Sequence, residues 1–377
     1  MTTAVETRPR SAHSVWIEIH RDRLIENLAL LRAASPAALH TIAVVKANAY
    51  GHGLHECARP LSGLVDFLGV SSIREAEVLR QEGFSSSIFL FGRFFGQELI
   101  RALELGATLS VSSFDEARAI AVAAEAFTFR PRIHIKVDTG MGRMGLPLRD
   151  AHPEILRISK LPNLQCEGIY SHFPTAEAQD GFAERQLQNL ALLIARLETE
   201  GIRFKYRHIA NSAGILRTES PAFNTIRPGL MLYGIDPGSG MKHSLGARPV
   251  LALKSRIAFV KPLEAGETSG YGRTFIAEKP CHLGILPIGY SHGYPVSASN
   301  RAFVLYHGKK YPVVGRVSMD YLAVDFGALL PEAGDTVTLI GEDGPEAITA
   351  EDLAVWAGTI PYEIVTRLSP FLPRLVR

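Results

Sequence analysis

The sequence predicts an α/β protein, with a closed (β/α)8 TIM-type barrel over residues 14–245 and a mainly β domain over residues 246–377. Three observations lead to this prediction. Eight short apolar runs alternate with helix-like segments in the first part of the chain, helical patterns become rare in the second part, and unusual polar residues follow the apolar runs. An open doubly wound sheet is the alternative, and the count of eight favours the barrel.

The eight runs are short, apolar and bounded by turn residues, as buried parallel strands are. They are IAVV from residue 42, DFLGV from 66, SIFLF from 87, TLSVS from 108, RIHIKVD from 132, CEGIYSH from 166, YRHIA from 206 and LMLYG from 230. Strands that alternate with helices require right-handed crossovers and a parallel sheet. We therefore expect these eight runs to be the barrel strands.

Helix signals lie between the runs. Capping boxes are predicted for Ser72 with Glu75 and for Ser113 with Glu116, and residues 182–197 carry one apolar stripe. Ahead of the first run, residues 14–19 alternate like a half-buried strand. A helix then follows and is expected to end near Ser35-Pro36, because the residue before proline disfavours the helical conformation.

The second domain is predicted from β-like runs such as VLALKSRIAFV, FVLYHGKKYPVVG and TVTLIG. His307-Gly308 is expected to form a turn between two of its strands. A short helix is predicted at residues 350–357, and the tail from Pro361, which is rich in proline, is expected to pack as an extended strap.

Composition narrows the class of protein. The chain has 377 residues, of which 46% are hydrophobic, and a net charge of +2, which gives no argument for nucleic acid or an anionic membrane surface. The cysteines, Cys57, Cys166 and Cys281, lie too far apart in sequence to suggest a metal site and are expected to be reduced packing residues. With no signal-like or membrane-spanning apolar segment, the prediction is a cytoplasmic enzyme without a metal.

The informative polar residues fall at the ends of the predicted strands. Lys46 ends the first run, Lys136 and Arg143 lie in and after the fifth, and His172 ends the sixth; Asn211-Ser212 follow the seventh, and Arg227 with Gly229 borders the eighth. In a barrel these positions converge on one mouth, where catalysis takes place in this fold. The sequence therefore predicts an active site at that mouth.

Lys46 is the first candidate for chemistry. It follows the apolar run Ile42 to Val45 and precedes a small turn with Tyr50. A lysine there either reaches water or is used covalently, as in Schiff-base catalysis, and this stretch alone leaves both interpretations open. A lysine of this kind, a phosphate site at the last two loops with backbone N–H groups of Ser212 and around Gly229, and a cation near a ring nitrogen together suggest pyridoxal phosphate.

Six motifs then carry a resemblance to a known family. They are VVKANAYGHG around Lys46, KVDTGMGRMG around Lys136 and Arg143, HIANSAG around Ser212, SGYG around Tyr271, GRVSMD around Asp320 and PYE around Tyr362. In this order, from about Val15 to Pro373, the chain resembles bacterial alanine racemase. Two departures, Pro228 between the arginine and glycine and Ser318 before MD, affect local geometry without removing a catalytic group.

The resemblance implies a role for each matching residue. Lys46 would bind pyridoxal 5'-phosphate as a Schiff base and act as the base on the D-face, and Tyr271 would be the base on the other face, in the partner subunit's site. Arg227 would face the pyridine nitrogen. The remaining assignments are Arg143 and Met319 for substrate; Tyr50, His172, Asn211, Ser212, Gly229, Leu230 and Tyr362 for the cofactor; and Lys136, His208 and Asp320 in support.

Several implied roles have finer detail or an ordinary alternative. Lys136 matches a position that is carbamylated in many members and could otherwise be an ion-pair partner. His172 would orient Tyr271, although it could be a satisfied core histidine. Tyr271 could be an interface aromatic and Asp320 a turn residue. The ordered set of motifs, rather than any one residue, favours the catalytic interpretation.

The implied function is interconversion of L- and D-alanine by a homodimer, which supplies D-alanine for peptidoglycan. A racemase of another small amino acid such as serine is one alternative. A non-catalytic pyridoxal-phosphate carrier on the same barrel is another, and the β domain with Tyr271 argues against it.

Overall fold

The computed structural model describes residues 12–35, 37–218, 220–237 and 245–377. It divides into two compact units, one formed by Arg21–Val250 and the other by the described residues up to His20 together with Leu251–Arg377. The first eleven residues, expected to hold no signal segment, and Pro36, near the expected end of the first helix, lie outside the described residues.

The first unit is the predicted barrel. Eight parallel strands pair in the order β5-β4-β3-β2-β10-β9-β8-β6, and pairing of β5 with β6 closes the ring. Their bounds are β2 His40–Val44, β3 Phe67–Val70, β4 Ser87–Leu90, β5 Thr108–Val111, β6 Arg132–Asp138, β8 Gln165–Tyr170, β9 Tyr206–His208 and β10 Thr225–Ile226, while β7, Leu146–Pro147, pairs with β6 at its edge. The closed barrel is confirmed and the open sheet is wrong.

Seven of the eight predicted strands are found, and the eighth is not. LMLYG forms a 3₁₀ helix, Leu230–Tyr233, and the last barrel strand is β10, only two residues long. Periodicity cannot separate a short buried strand from a buried helical turn. The Ser212 hydroxyl decides between them here, because it accepts the N–H groups of Gly229 at 2.9 Å and Met231 at 3.2 Å and so caps the 3₁₀ turn.

Helices cover the outside of the barrel. Their bounds are α1 Arg21–Ala33, α2 Leu54–Leu61, α3 Ile73–Gln81, α4 Gly96–Glu104, α5 Phe114–Ala123, α6 Leu148–Ile158 and α7 Phe182–Thr199. Ser72 and Ser113 accept the N–H of Glu75 and Glu116 at 3.2 and 3.1 Å, as predicted. The Glu75 and Glu116 carboxylates accept the N–H groups of Ser71 and Ser112, and not those of the capping serines.

The second unit is an antiparallel sheet that also contains the first strand of the chain. β1, Val15–Ile19, pairs antiparallel with β11, Leu251–Arg256, and parallel with β21, Arg374–Val376. Residues 14–20 were expected in the barrel domain, and the structure places them in the β unit instead. An alternating strand next to a βα pattern looks like the first barrel strand, and only its pairing reveals the difference.

The sheet order is β12-β15-β18-β17-β16-β19-β11-β1-β21, with β20 paired to β19 and a separate β13-β14 hairpin. The bounds are β12 Phe259–Leu263, β13 Thr268–Ser269, β14 Phe275–Ile276, β15 Cys281–Leu286, β16 Phe303–Tyr306, β17 Lys309–Val314, β18 Leu322–Asp325, β19 Thr336–Asp343 and β20 Glu346–Ile348. His307 and Gly308, with φ of 49° and 71°, form the predicted hairpin turn.

Helices are few in this unit, as expected. The predicted helix is α8, Ala350–Ala357, and a second helix, α9, covers Pro361–Thr366. The tail was expected to be extended from Pro361, but proline at the first turn of a helix is favourable, so the extended part begins later. None of the three cysteines forms a disulfide, and Cys57 and Cys281 are buried. Among the helices of the described ranges, none is long and apolar enough to cross a membrane.

Gly234 ends the 3₁₀ helix in a conformation that only glycine adopts there without strain. Its φ is 68°, and an added Cβ would lie 1.9 Å from the carbonyl oxygen of Arg248. Gly201 is a matched control, since its φ is 85° but an added Cβ would meet no atom within 4 Å.

We expect Gly201→Ala to lower the free energy of unfolding by about 1 kcal/mol through backbone strain alone. Gly234→Ala adds backbone overlap and should lose at least about 3 kcal/mol, or fail to fold. Denaturant unfolding of both variants measures the difference. Equal losses would mean that the overlap relaxes without a large energy change.

Candidate active site

The predicted barrel residues gather at the carboxyl ends of the strands. Lys46 lies two residues beyond the end of β2, Lys136 lies within β6, and Arg227 follows β10. Charge coupling among them is direct, since Arg143 and Arg227 each act on both lysines and on His172. The structure thus brings together the candidate cations and His172 that lay far apart in sequence.

Lys46 begins a left-handed turn. Residues 47–50 all have φ between 52° and 54°, a conformation that costs roughly 1–2 kcal/mol for each non-glycine residue. Glu75 accepts the N–H of Asn48 at 3.1 Å and that of Ser71 at 3.2 Å. The Asn48 side chain in turn accepts the N–H of Leu54 at 2.8 Å. These bonds hold a strained backbone at the candidate active lysine.

The pKa of Lys46 is lowered. Burial is the largest cause, followed by the charge of Arg143, and Glu75 opposes them. The amine therefore spends more time neutral than an ordinary lysine does, which makes it a better nucleophile and base. This environment favours chemical use over the alternative of a lysine that reaches water.

Lys136 is also buried, with 7% of its surface exposed. Burial, and then the charges of Arg143 and Arg227, lower its pKa to about 8, although Asp138 acts in the opposite direction. No salt bridge within the described residues pairs it, so a simple ion-pair role is not what its surroundings provide. Its nitrogen lies 5.7 Å from the centre of the Tyr170 ring.

Arg143 sits in a loop that Asp138 organises. The Asp138 carboxylate accepts the N–H groups of Gly140, Met141 and Gly142 at 2.9, 2.8 and 3.2 Å. Burial raises the pKa of Asp138, but these three bonds outweigh it and leave the pKa lowered. A carboxylate that folds three successive amides around itself sets the path of the chain toward Arg143.

Arg227 is buried, and its guanidinium donates to four acceptors. Its guanidinium donates to Nδ1 of His208 at 2.8 Å, to Nδ1 of His172 at 3.1 Å, and to the carbonyl oxygens of Ser171 at 2.9 Å and Ile209 at 3.1 Å. Burial lowers its pKa to about 10, so it stays charged at neutral pH.

Burial and the neighbouring cations keep His172 neutral. Burial is the largest cause and Arg227 the next, and together with the other nearby cations they lower its pKa to about 2. Since its Nδ1 accepts from Arg227, its proton is on Nε2. His172 is therefore a fixed acceptor on one side and a donor on the other, which is more specific than a packed core histidine.

The loops after β9 and β10 form the expected phosphate region, with a difference in detail. The Gly229 N–H, expected to point toward a ligand, donates to Ser212 instead. The Ser212 hydroxyl retains its own proton to donate. A Cβ at Gly229 would lie 2.8 Å from the Tyr50 hydroxyl, so glycine is needed for the close approach of Tyr50. Leu230 is buried beside them.

Asn211 and His208 support this region. The Asn211 side chain accepts the N–H of Gly214 at 2.9 Å, which shapes the turn after β9. His208 stacks on Tyr170 with ring centres 4.7 Å apart. Both side chains act on the protein itself, as supporting residues do.

The other predicted residues lie in the β unit. Tyr271 is 69% exposed and lines a cavity of about 450 Å³ with Arg316, Ser318 and Tyr321. Met319 is exposed, and its carbonyl oxygen accepts the N–H of Ser291 at 3.0 Å.

Two further candidates belong to the same unit. Asp320 accepts the Ser291 hydroxyl at 2.8 Å, and Tyr362 lies in α9. Across the described residues, no three His, Cys, Asp or Glu side chains meet as metal ligands would.

Comparison with known proteins agrees with this geometry. Models of the alanine racemase N-terminal and C-terminal domains match residues 19–237 and 250–376. The chain is 38% identical to an alanine racemase of Desulforamulus reducens, over 96% of this chain and 98% of the relative. It is 35% identical to an alanine racemase of Geobacter sulfurreducens, over 98% of each. The crystal structure of an alanine racemase from Streptomyces lavendulae matches with a TM-score of 0.91 at 35% identity, over 98% of each chain.

The chain belongs to the alanine racemase family.

Two residues that hold this alanine racemase site escaped sequence reasoning. Glu75 had a sequence signal, because it was predicted in a capping box, but its carboxylate crosses to the turn of Lys46 instead. Asp138 precedes a Thr-Gly-Met-Gly stretch, which is a signal for a turn organised by aspartate. Both act through hydrogen bonds to backbone amides, which are local for Asp138 and are brought within reach by the fold for Glu75.

The depressed pKa of Lys136 leads to a prediction for cofactor-free protein in buffer free of carbon dioxide. Trace labelling with an amine-reactive reagent should modify Lys136 with half-maximal rate near its pKa of about 8, rather than near the ordinary 10.5. Arg143→Gln removes the largest charge that disfavours the protonated lysine, so the midpoint should rise. Peptide mass spectrometry across pH measures it, and an unshifted midpoint in the variant would contradict the charge coupling.

Proposed function

We propose that this chain racemises alanine with pyridoxal 5'-phosphate, as a homodimer in which each site combines the barrel of one subunit with Tyr271 of the other. The observation that carries the proposal is the group of cations at the barrel mouth. Arg143 and Arg227 lower the pKa of both Lys46 and Lys136, and the opposing charges of Glu75 on Lys46 and Asp138 on Lys136 do not outweigh them and burial. Such a mouth is suited to an anionic cofactor and a carboxylate substrate.

The donor set fits the cofactor. Lys46 offers an amine of lowered pKa to an aldehyde. The Ser212 hydroxyl and the Tyr50 hydroxyl flank the loop at Gly229, where a phosphate is expected in this fold. Arg227, held by four acceptors, provides a rigid cation for the ring nitrogen. Leu230, Asn211 and Tyr362 complete the proposed cofactor region.

Pyridoxal phosphate, when bound, accepts the electron pair released when the Cα–H bond breaks. The protein must then move the proton, and racemisation requires a proton donor and acceptor on each face of Cα. We assign the Lys46 amine to the D-face and the Tyr271 hydroxyl to the opposite face. Lys46 alone cannot deliver a proton to both faces.

Arg227 sets the character of the reaction. A guanidinium has donors only, and it keeps its own proton, so the ring nitrogen facing it is not protonated. Pyridoxal phosphate held this way would be a weaker electron acceptor, which would lower the rate but disfavour protonation at the wrong carbon. This choice favours racemisation over transamination.

The substrate is held by the remaining residues. Arg143 and the backbone of Met319 are assigned to the carboxylate, with Lys136, as a carbamate, holding Arg143. The neutral His172 donates through Nε2 and is assigned to orient Tyr271. Asp320 supports the Met319 loop through Ser291. We also propose that the enzyme acts in the cytoplasm and supplies D-alanine for peptidoglycan.

The alternatives are less well supported. Homologues along the whole chain are alanine racemases, and the C-terminal family domain covers 250–376, which a carrier built on the barrel alone would lack. A preference for serine has no supporting observation. The direct test follows circular dichroism of L-alanine with purified protein, with and without added pyridoxal phosphate, and with L-serine in parallel.

We expect cofactor-dependent loss of the L-alanine signal and a much slower change with L-serine. Lys46→Ala is the control that should remove activity. Faster turnover of serine would replace the proposed substrate, and activity without cofactor would contradict the chemistry.

Tyr271→Ala should lower racemisation in both directions by roughly 10² to 10⁴, the contribution of a general acid–base group. Cofactor binding should persist, because the Lys46 amine and the Ser212 and Tyr50 hydroxyls lie in the barrel. Lys46 can still take the Cα proton of D-alanine, so solvent deuterium exchange should continue with D-alanine and nearly vanish with L-alanine. Tyr271→Phe is the matched control, because it removes the hydroxyl and keeps the ring. Equal exchange from both enantiomers would support a single base instead.

A shared site predicts complementation between two inactive variants. A heterodimer of Lys46→Ala and Tyr271→Ala subunits contains one site with both groups intact, so random exchange should restore at most roughly a quarter of wild-type activity. Each variant incubated alone should stay inactive. If tagged subunits are shown to exchange and activity does not return, both bases come from one subunit.

A further inference from the structure

Below Arg227, the barrel axis contains two ionisable residues that the mechanism does not use. His134 of β6 is fully buried, and Glu167 of β8 is 9% exposed. His134 continues the hydrogen bonds of Arg227 away from the mouth, and the Glu167 carboxylate lies beyond it. The Arg227 guanidinium lies 2.8 Å from Nδ1 of His208, Nε2 of His208 lies 2.8 Å from Nδ1 of His134, and Nε2 of His134 lies 3.7 Å from the Glu167 carboxylate.

Arg227 fixes the direction of these hydrogen bonds. Arg227 can only donate, so Nδ1 of His208 is an acceptor and the proton of His208 is on Nε2. That proton points to Nδ1 of His134, which must then accept, and the His134 proton is also on Nε2. It points toward the Glu167 carboxylate, which lies 3.7 Å away, beyond hydrogen-bond distance. Only one arrangement of protons on the two neutral rings satisfies every contact.

The local backbone is built around the His134 ring. The pairing of β6 with β8 shifts register between Ile133 and His134. Such bulges re-aim a side chain and are common near active sites. The ring lies over Gly168, where a Cβ would come within 2.4 Å of it, and it stacks on Tyr206 with centres 5.3 Å apart.

Burial supports neutral rings. It is the largest cause that lowers the pKa of His134 and of His208, and the charge of Arg227 acts in the same direction on both. A second proton on either ring would place two donors face to face.

We propose that His134 is a positioning residue for Arg227. By accepting from His208, it fixes the tautomer that presents Nδ1 to the guanidinium, and packing over Gly168 and against Tyr206 orients its ring. The guanidinium is thereby held for the cofactor's ring nitrogen, and this last step alone rests on the proposed function.

The first test uses cofactor-free protein with ¹⁵N-labelled histidine. In wild type, His134 and His208 should both appear as neutral Nε2–H tautomers, with slow exchange of the His208 Nε2 proton. His134→Asn keeps an acceptor near the position of Nδ1 and should preserve this signal, whereas His134→Phe removes the acceptor and should lose it. An Nδ1–H tautomer of His208 in wild type, or unchanged His208 signals in the Phe variant, would overturn the proposal.

The second test uses loaded enzyme. His134→Phe should lower kcat about tenfold with KM for alanine within about twofold, as expected for a lost acceptor under a buried donor. It should also raise the rate of cofactor loss by transamination relative to racemisation. His134→Asn should restore both. A purely structural role would lower the melting temperature without changing that ratio, and would contradict the proposal.

The two arms separate the possible failures. If wild type does not racemise alanine, the proposed function is wrong while the tautomers can still be read. If His134→Phe does not fold, the wild-type and Asn spectra decide the tautomer, and the Asn variant's transamination ratio, expected to match wild type, decides the positioning role.

Discussion

The mutual repulsion of cations at the barrel mouth is the constraint on which the rest of the site depends. Lys46, Lys136 and Arg227 lie where burial already disfavours charge, and the charge of Arg143 adds to this effect on both lysines. Arg227 stays charged because four acceptors surround it, and the lysines respond by giving up their protons more readily. Arginine is more basic than lysine. The same surroundings therefore leave lysines that lose their protons readily beside an arginine that keeps its charge.

Holding these groups requires backbone that the chain does not adopt easily. The left-handed turn after Lys46 departs from regular structure just beyond the end of β2. The bulge in the pairing of β6 with β8 departs from it beside His134. Glu75, from the next βα unit, holds the turn, and at the bulge the absence of a Cβ at Gly168 leaves room for the His134 ring of the neighbouring strand. The closed barrel thus supplies the rigidity that offsets local strain.

The sequence predicted the parts whose signal is periodic or local. Seven barrel strands, two helix caps and the His307-Gly308 hairpin rest on apolar runs or turn residues that need no knowledge of distant contacts. The misplaced elements, β1 and β10, are those whose assignment depends on pairing partners more than 180 residues away. For the site, residue types at strand ends identified the cations and His172. They did not identify Glu75 or His134, which act through contacts to another βα unit or strand, nor Asp138, which acts through the amides of its own loop.

The tautomers at the site follow from the same reasoning about donors and acceptors. A guanidinium that cannot accept turns each adjoining imidazole into an acceptor, so the protons of His172 and His208 are both on the nitrogen that faces away from Arg227. His208 then donates from Nε2 to His134 inside the barrel, whereas the Nε2–H of His172 is left for a different partner. The single buried arginine therefore sets the direction of hydrogen bonding on both sides of itself, and any group that meets its remaining surface must be an acceptor.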